Sequence, residues 1–158
     1  MYEVRPGDYG VVRSTGLFAR LIQIGTLSRW NHAVIYIGNG TIVEANPTGV
    51  ETSPVSRYEN IAWNQHEELN DFQRVTIVNH AISLVGKPYN FLNIAGLMLR
   101  IIGIKFLGNW ILKHLADHQG YICSELVAEC YRLAGNVLVS EKDYLVNPGD
   151  LAERLIWQ

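Results

Sequence analysis

Tyr121-Ile122-Cys123-Ser124-Glu125-Leu126-Val127-Ala128-Glu129-Cys130-Tyr131-Arg132-Leu133-Ala134-Gly135 reads as one helix. Ile122, Leu126 and Leu133, flanked by Val127, Cys130 and Ala134, form an apolar stripe at helical spacing. Gly135 stands where a C-terminal cap belongs, and Gly120 marks the turn into the helix. Cys123 therefore falls in the first turn, where the partial positive charge of the helix N-terminus favours a thiolate. A small buried core residue is the competing reading, because cysteine is among the most buried types. The rest of the chain has to decide between them.

The length of 158 residues predicts a single domain spanning 1–158, large enough to bury a core without staples. With 48% hydrophobic and 18% charged residues the composition is that of a globular protein. A net charge of −2 and the lack of a basic stripe argue against a nucleic-acid partner. Two cysteines make no disulfide framework. Seven residues apart on a helix, they are separated by roughly 10 Å, beyond bridging distance. Met1-Tyr2-Glu3-Val4-Arg5-Pro6-Gly7-Asp8 has no basic-then-apolar pattern, so no secretory signal is expected. That predicts a cytoplasmic or phage-encoded protein.

Along the chain, Pro6-Gly7-Asp8 is a turn and 9–13 a short strand. Leu17, Phe18, Leu21, Ile22, Ile24 and Gly25 suggest a two-turn helix capped by Ser14 or Thr15. Ala33-Val34-Ile35-Tyr36-Ile37, rich in β-branched and aromatic residues, is a strand. Gly38-Asn39-Gly40 turns it back into a partner over 41–46, and 50–55 and 61–65 are weaker strands. From Asp71 the period changes. Phe72, Val75, Val78, Ala81, Ile82 and Val85 predict an amphipathic helix capped by Asp71 and stopped by Gly86 and Pro88. Strands first and helices afterwards indicate an α+β domain with a small antiparallel sheet or partial barrel. Residues 93–115 are apolar, yet Arg100 and Lys105 lie near their middle and glycines punctuate them. Two amphipathic helices meeting near Gly103 fit best; a membrane-surface or protein contact through 93–115 is a second reading, and a membrane span a third.

Cysteine catalysis needs a base beside the thiol and a group that orients the base. Of five histidines, His32 is the best placed, at the entry to a strand. If Gly38-Asn39-Gly40 forms a three-residue loop, Ile37 faces Thr41 and His32 faces Asn46. Glu44 then faces Val34 and lies diagonal to His32, about 7–8 Å between Cβ atoms and within reach of a carboxylate. A two-residue loop would turn Glu44 to the other side of the sheet. Glu44 and Asn46 are thus both candidates to orient the imidazole. The His32/Val34/Tyr36 face looks onto a cleft, while Ala33, Ile35 and Ile37 face the core. Taken alone, His32 also fits a strand-end histidine bonded to backbone, and Glu44 a solvated strand charge. His114 and His118, four apart with Asp117 beside them, lack the glutamate of the zinc-protease pattern and read as surface. His66-Glu67-Glu68 reads as a solvated loop, and His80 lies within the helix from Asp71. No metal and no cofactor is predicted.

With these residues in view, the chain resembles the NlpC-type cell-wall hydrolases, a papain-like superfamily of cysteine peptidases and amidases, in its circularly permuted YiiX-like branch. The unpermuted family places a Gly-x-x-Tyr segment and an Asp-Cys-Ser helix before a Pro-Gly-Asp strand and a His-Val-Gly-Ile-Tyr-Ile-Gly strand. Here Pro6-Gly7-Asp8 opens the chain, followed by Asn31-His32-Ala33-Val34-Ile35-Tyr36-Ile37-Gly38 and Val43-Glu44-Ala45. Gly86-Lys87-Pro88-Tyr89 and Ile122-Cys123-Ser124-Glu125-Leu126-Val127 come last. Ile122 replaces the aspartate of the unpermuted motif, as is usual in the permuted branch. The resemblance implies Cys123 as nucleophile, His32 as general base and Glu44 as its orienting partner. Tyr89 is implied near the active site, and the Cys123 N–H in an oxyanion hole. It implies a thiol hydrolase working through a thioester on peptide or amide bonds such as those of peptidoglycan. A lipid-like acyl substrate at a membrane surface, and a non-catalytic binding module on the same scaffold, are the alternatives.

Overall fold

In the computed structural model, residues 3–14, 29–65, 68–101, 103–114, 120–139 and 146–156 are described. The helix expected around Leu17–Gly25, the His66-Glu67 pair and the His118 end of the histidine pair lie outside these residues.

Five strands form one open sheet: β1 (Tyr9–Val12), β2 (His32–Gly38), β3 (Thr41–Asn46), β4 (Gly49–Pro54) and β5 (Ile61–Trp63). Their order is β4-β3-β2-β1-β5, and every neighbouring pair is antiparallel. Helices α1 (Asp71–Ser83), α2 (Phe91–Ile101), α3 (Lys105–His114), α4 (Cys123–Leu133) and α5 (Pro148–Ile156) follow. The strand alternation divides the apolar residues between two faces. Ala33, Ile35, Val43 and Ala45 pack with Leu126, Val127, Cys130 and Tyr131 of α4 in the main core. Val12, Val34 and Ile42 point the other way and bury themselves under Tyr36, Val55, Tyr58, Ile61 and Trp63. The face expected to look onto a cleft is thus roofed by apolar side chains, with Val34 and Ile42 wholly buried.

The roof follows from the strand order. β4 and β5 are opposite edges of the sheet, so residues 55–60 must cross one of its faces. They cross the face of Val34, passing through a short 3₁₀ turn at Val55–Arg57.

Helix α4 begins at Cys123 with Ile122 as its N-cap, and Gly135 at φ 81° closes it. Its Tyr131 hydroxyl donates to the Gly7 carbonyl at 2.7 Å and accepts from the Tyr9 amide at 3.2 Å, pinning the helix to β1. Helix α1 differs from expectation in two ways. Its cap is Asn70, in a reciprocal capping box with Gln73, rather than Asp71. Its buried residues are Arg74, Ile77 and Ala81, whereas Phe72, Val75, Ile82 and Val85 are exposed. The reason is Asp8, which is wholly buried and takes the Arg74 guanidinium at 2.8 Å. A buried carboxylate without a partner costs several kcal/mol, and that fixes which face of α1 turns inward.

Helices α2 and α3 meet around Gly103, as the sequence suggested, with Gly103 at φ 95°. A Cβ on Gly108 would stand 2.6 Å from the Gly96 carbonyl, so the two helices cross in contact there. None of the described helices is long and apolar enough to cross a membrane. Helix α5 was not anticipated, although Asn147 and Pro148 mark its start: the Asn147 side chain accepts from the Gly149 and Asp150 amides.

Candidate active site

His32 opens β2 and Glu44 lies in β3, where it pairs with Val34. The register between them is kept by two deviations that cancel. Gly38 pairs with Thr41, so the connection is the two-residue turn Asn39-Gly40 rather than a three-residue loop. The ladder then shifts between Tyr36 and Gly38, which makes Ile37 an extra residue, a β-bulge. A two-residue turn alone would have put Glu44 on the α4 face; the bulge restores it to the side of His32. His32 Nε2 lies 2.6 Å from Glu44 Oε2, with both side chains buried.

Glu44 is held from several directions. Arg57 Nη1 donates to Oε1 at 3.2 Å, and the Tyr58 hydroxyl donates to Oε2. Ser53, diagonal to it across the β3–β4 ladder, adds a further hydrogen bond. Arg57 is itself fixed by Glu51 Oε1 and Ser53 Oγ, each at 2.8 Å. Burial pushes the Glu44 carboxyl up, but the hydrogen bond and charge of His32, then Ser53 and Tyr58, bring it down to about 2. Burial alone would likewise lower His32. The charge and hydrogen bond of Cys123, followed by those of Glu44, raise it instead to about 9. The Tyr58 ring lies 5.7 Å from the imidazole, and burial followed by Glu44 raises its hydroxyl well above the ordinary value.

Cys123 is the first residue of α4 and lies close enough to His32 to act on the imidazole's charge. Because Glu44 takes Nε2, Nδ1 is the ring nitrogen left to meet the thiol. Tyr89 is half-buried nearby; burial and then the charge of Cys123 raise its hydroxyl. A parallel bridge between Tyr89 and Tyr121 ties it to the approach to α4. Behind the first turn, buried Glu125 accepts from Asn93 Nδ2 of α2 at 2.9 Å. Cys130, the second cysteine, is buried in the core and forms no disulfide.

Two expected site residues are elsewhere. The β2–β3 ladder starts at Val34–Glu44, so Asn46 does not face His32 and pairs with Gly49 of β4. The Asn46 amide donates to Glu51 at 2.9 Å. Tyr36, four residues along β2 from His32, accepts from the Gly40 amide and stacks edge-on against Trp63. Conversely, Ser53, Arg57 and Tyr58 were missed. Ser53 was within reach of strand pairing, being diagonal to Glu44; Arg57 and Tyr58 depend on the crossing of 55–60.

The order of these blocks, Pro-Gly-Asp and histidine first and cysteine helix last, is that of a permuted papain-like chain. Residues 4–148 match the family of permuted papain-like amidase enzymes, YaeF/YiiX, C92 family. The chain belongs to this family. This C92-family protein is accordingly a papain-like cysteine amidase, a hydrolase whose substrates carry an amide or peptide bond. A comparison with curated proteins found no match.

Proposed function

We propose that this C92-family amidase cleaves peptide or amide bonds with Cys123 as nucleophile, His32 as general base and acid, and Glu44 as the group that orients His32. The observation that carries the reading is His32 itself, hydrogen-bonded to Glu44 at 2.6 Å and near enough to Cys123 for its pKa to be raised by it. His32 takes the thiol proton and the thiolate adds to the carbonyl carbon. The oxyanion meets the Cys123 N–H at the helix N-terminus. As the C–N bond breaks, the imidazolium returns the proton to the leaving amine, and a thioester remains. Water, deprotonated by His32, adds to that thioester; the C–S bond breaks, the acid leaves and the thiol is restored. Tyr89 lines the approach to the thiol. Peptidoglycan peptides are the substrates to try first, with a lipid acyl ester as the comparison.

Mass spectrometry of the protein quenched during turnover tests this. The expected result is an acyl adduct on Cys123 alone that is absent from Cys123→Ala and accumulates far more slowly in His32→Ala. Hydrolysis persisting in Cys123→Ala, or acylation of Cys130 at the same rate, would overturn the assignment.

A further inference from the structure

Helix α3 is poorly covered. Among its residues of described burial, Gly108 and Leu112, four apart, are the buried ones, and Leu112 packs with Ile122, Ile94 and Tyr89 at the base of the helix pair. The opposite side carries Phe106, 86% exposed, with Leu107 at 42% and Trp110 at 45%. Phe106, Leu107 and Trp110 fall within about a third of the helix circumference, so they form one apolar face. Lys105, Asn109 and Lys113, all exposed and spaced by four, run as a row beside it. Not one aspartate or glutamate occurs between Asp71 and Asp117, although the whole chain is net negative. Single exposed apolar residues mean little, but an apolar helix face flanked by lysines and by no carboxylate has a chemistry of its own.

From this we infer that α3 is a docking face for an anionic lipid surface, lying in the interface with Phe106, Leu107 and Trp110 among the acyl chains and Lys105 and Lys113 at the headgroups. Charge selects this occupant. A second copy in a two-fold contact would bring lysine row against lysine row, with no acidic residue on either helix pair to meet it. Anionic headgroups satisfy both lysines while the bilayer takes the aromatic and leucine side chains. The helix is too short to span, which suits a surface attachment. Attachment here would bring the bilayer near the thiol, because Leu112 packs on Ile122, the residue before Cys123. The inference holds whichever bond Cys123 attacks.

Flotation of the full chain with phosphatidylcholine vesicles, with and without phosphatidylglycerol, tests it. Binding is expected on the anionic vesicles, falling with added salt. Lys105→Gln with Lys113→Gln should weaken it about thirty-fold, at the usual contribution of each basic residue near such a surface. Phe106→Glu should abolish it while leaving hydrolysis of a water-soluble amide intact. Phe106→Ser provides a second variant, and far-UV circular dichroism checks the fold of each. Failure of the wild type to float, equal flotation on neutral vesicles, or undiminished flotation of Phe106→Glu would overturn the inference. So would a concentration-dependent dimer, abolished by Phe106→Glu, in a protein that ignores vesicles.

Discussion

Arg57 Nη1 sits 3.2 Å from Oε1 of Glu44, a carboxylate whose side chain has no exposure to solvent. The cation shares Glu44 with His32, so it drains from the carboxylate some of the negative charge that would otherwise stabilise imidazolium. Removing it raises His32 further above about 9. Activity that needs imidazolium is lost as pH rises through that value, so Arg57→Gln should move the alkaline limb of kcat/KM upward. Solvent around the half-exposed Arg57 screens the effect to less than about one pH unit. Glu44→Gln acts oppositely: the limb moves down, and kcat/KM drops by roughly 10²–10⁴-fold as the base loses its orientation. A pH profile of each variant checks both; a limb that falls in Arg57→Gln contradicts the charge argument.

The turn joining β2 to β3 carries three successive left-handed residues: Gly38 at φ 101°, Asn39 at 51° and Gly40 at 68°. A side chain at either glycine is strained, by about 1–2 kcal/mol on the usual cost of that region. Gly38→Ala should also disturb the site, because Gly38 closes the bulge that sets the side on which Glu44 lies. Chemical denaturation should register a loss of about 1–2 kcal/mol in both Gly38→Ala and Gly40→Ala. Asn39→Gly should stay within a few tenths, because asparagine tolerates that conformation better than most residues. If only Gly38→Ala also slows alkylation of Cys123, the bulge and the site are linked.

The hairpin shows how far local sequence carries. Alternation between Ala33, Ile35, Val43 and Ala45 and the residues between them set the pairing of Val34 with Glu44, because a slip would expose the whole apolar set. That is why Glu44 lies where the sequence placed it although the loop is shorter than expected. Asn46 lies outside the β2–β3 ladder, which ends at Val34–Glu44, and pairs with Gly49 of β4. Helix α4 and the break at Gly103 were legible from caps and glycines. Arg57 and Tyr58 were not, since no local pattern says which face a connection between two sheet edges will cross. The inward face of α1 was misread for a related reason: the partner of Arg74 is Asp8, sixty-six residues earlier in the chain.

The buried Arg74–Asp8 pair makes its own prediction. Arg74 donates to Asp8 Oδ1 at 2.8 Å and to the Pro6 carbonyl at 3.0 Å, so Arg74→Ala takes the guanidinium away from a buried carboxylate. The expected loss is about 3–5 kcal/mol. Phe72, 78% exposed, should by contrast accept serine with a change within about 0.5 kcal/mol. Paired denaturation curves decide the point: if Phe72→Ser proves the more damaging, α1 packs by its apolar stripe after all.

The buried ion pair of His32 and Glu44 makes stability depend on pH from both sides. Glu44 is lowered from 4.5 to about 2, so its contribution is present above pH 4.5 and is lost as pH falls through about 2. His32 is raised from 6.5 to about 9; its contribution is complete below pH 6.5 and is lost as pH rises through about 9. Both are fully present only between pH 4.5 and 6.5. Cys123 contributes more than Glu44 to the upper shift and the His32–Glu44 contact enters both, so the two do not simply add; on the order of 3 kcal/mol is expected to disappear at either end. Urea denaturation at intervals across the range should give a plateau between pH 4.5 and 6.5 and a decline above it. In His32→Ala the decline between pH 6.5 and 9 should flatten. An unchanged slope there would assign the alkaline loss to other groups.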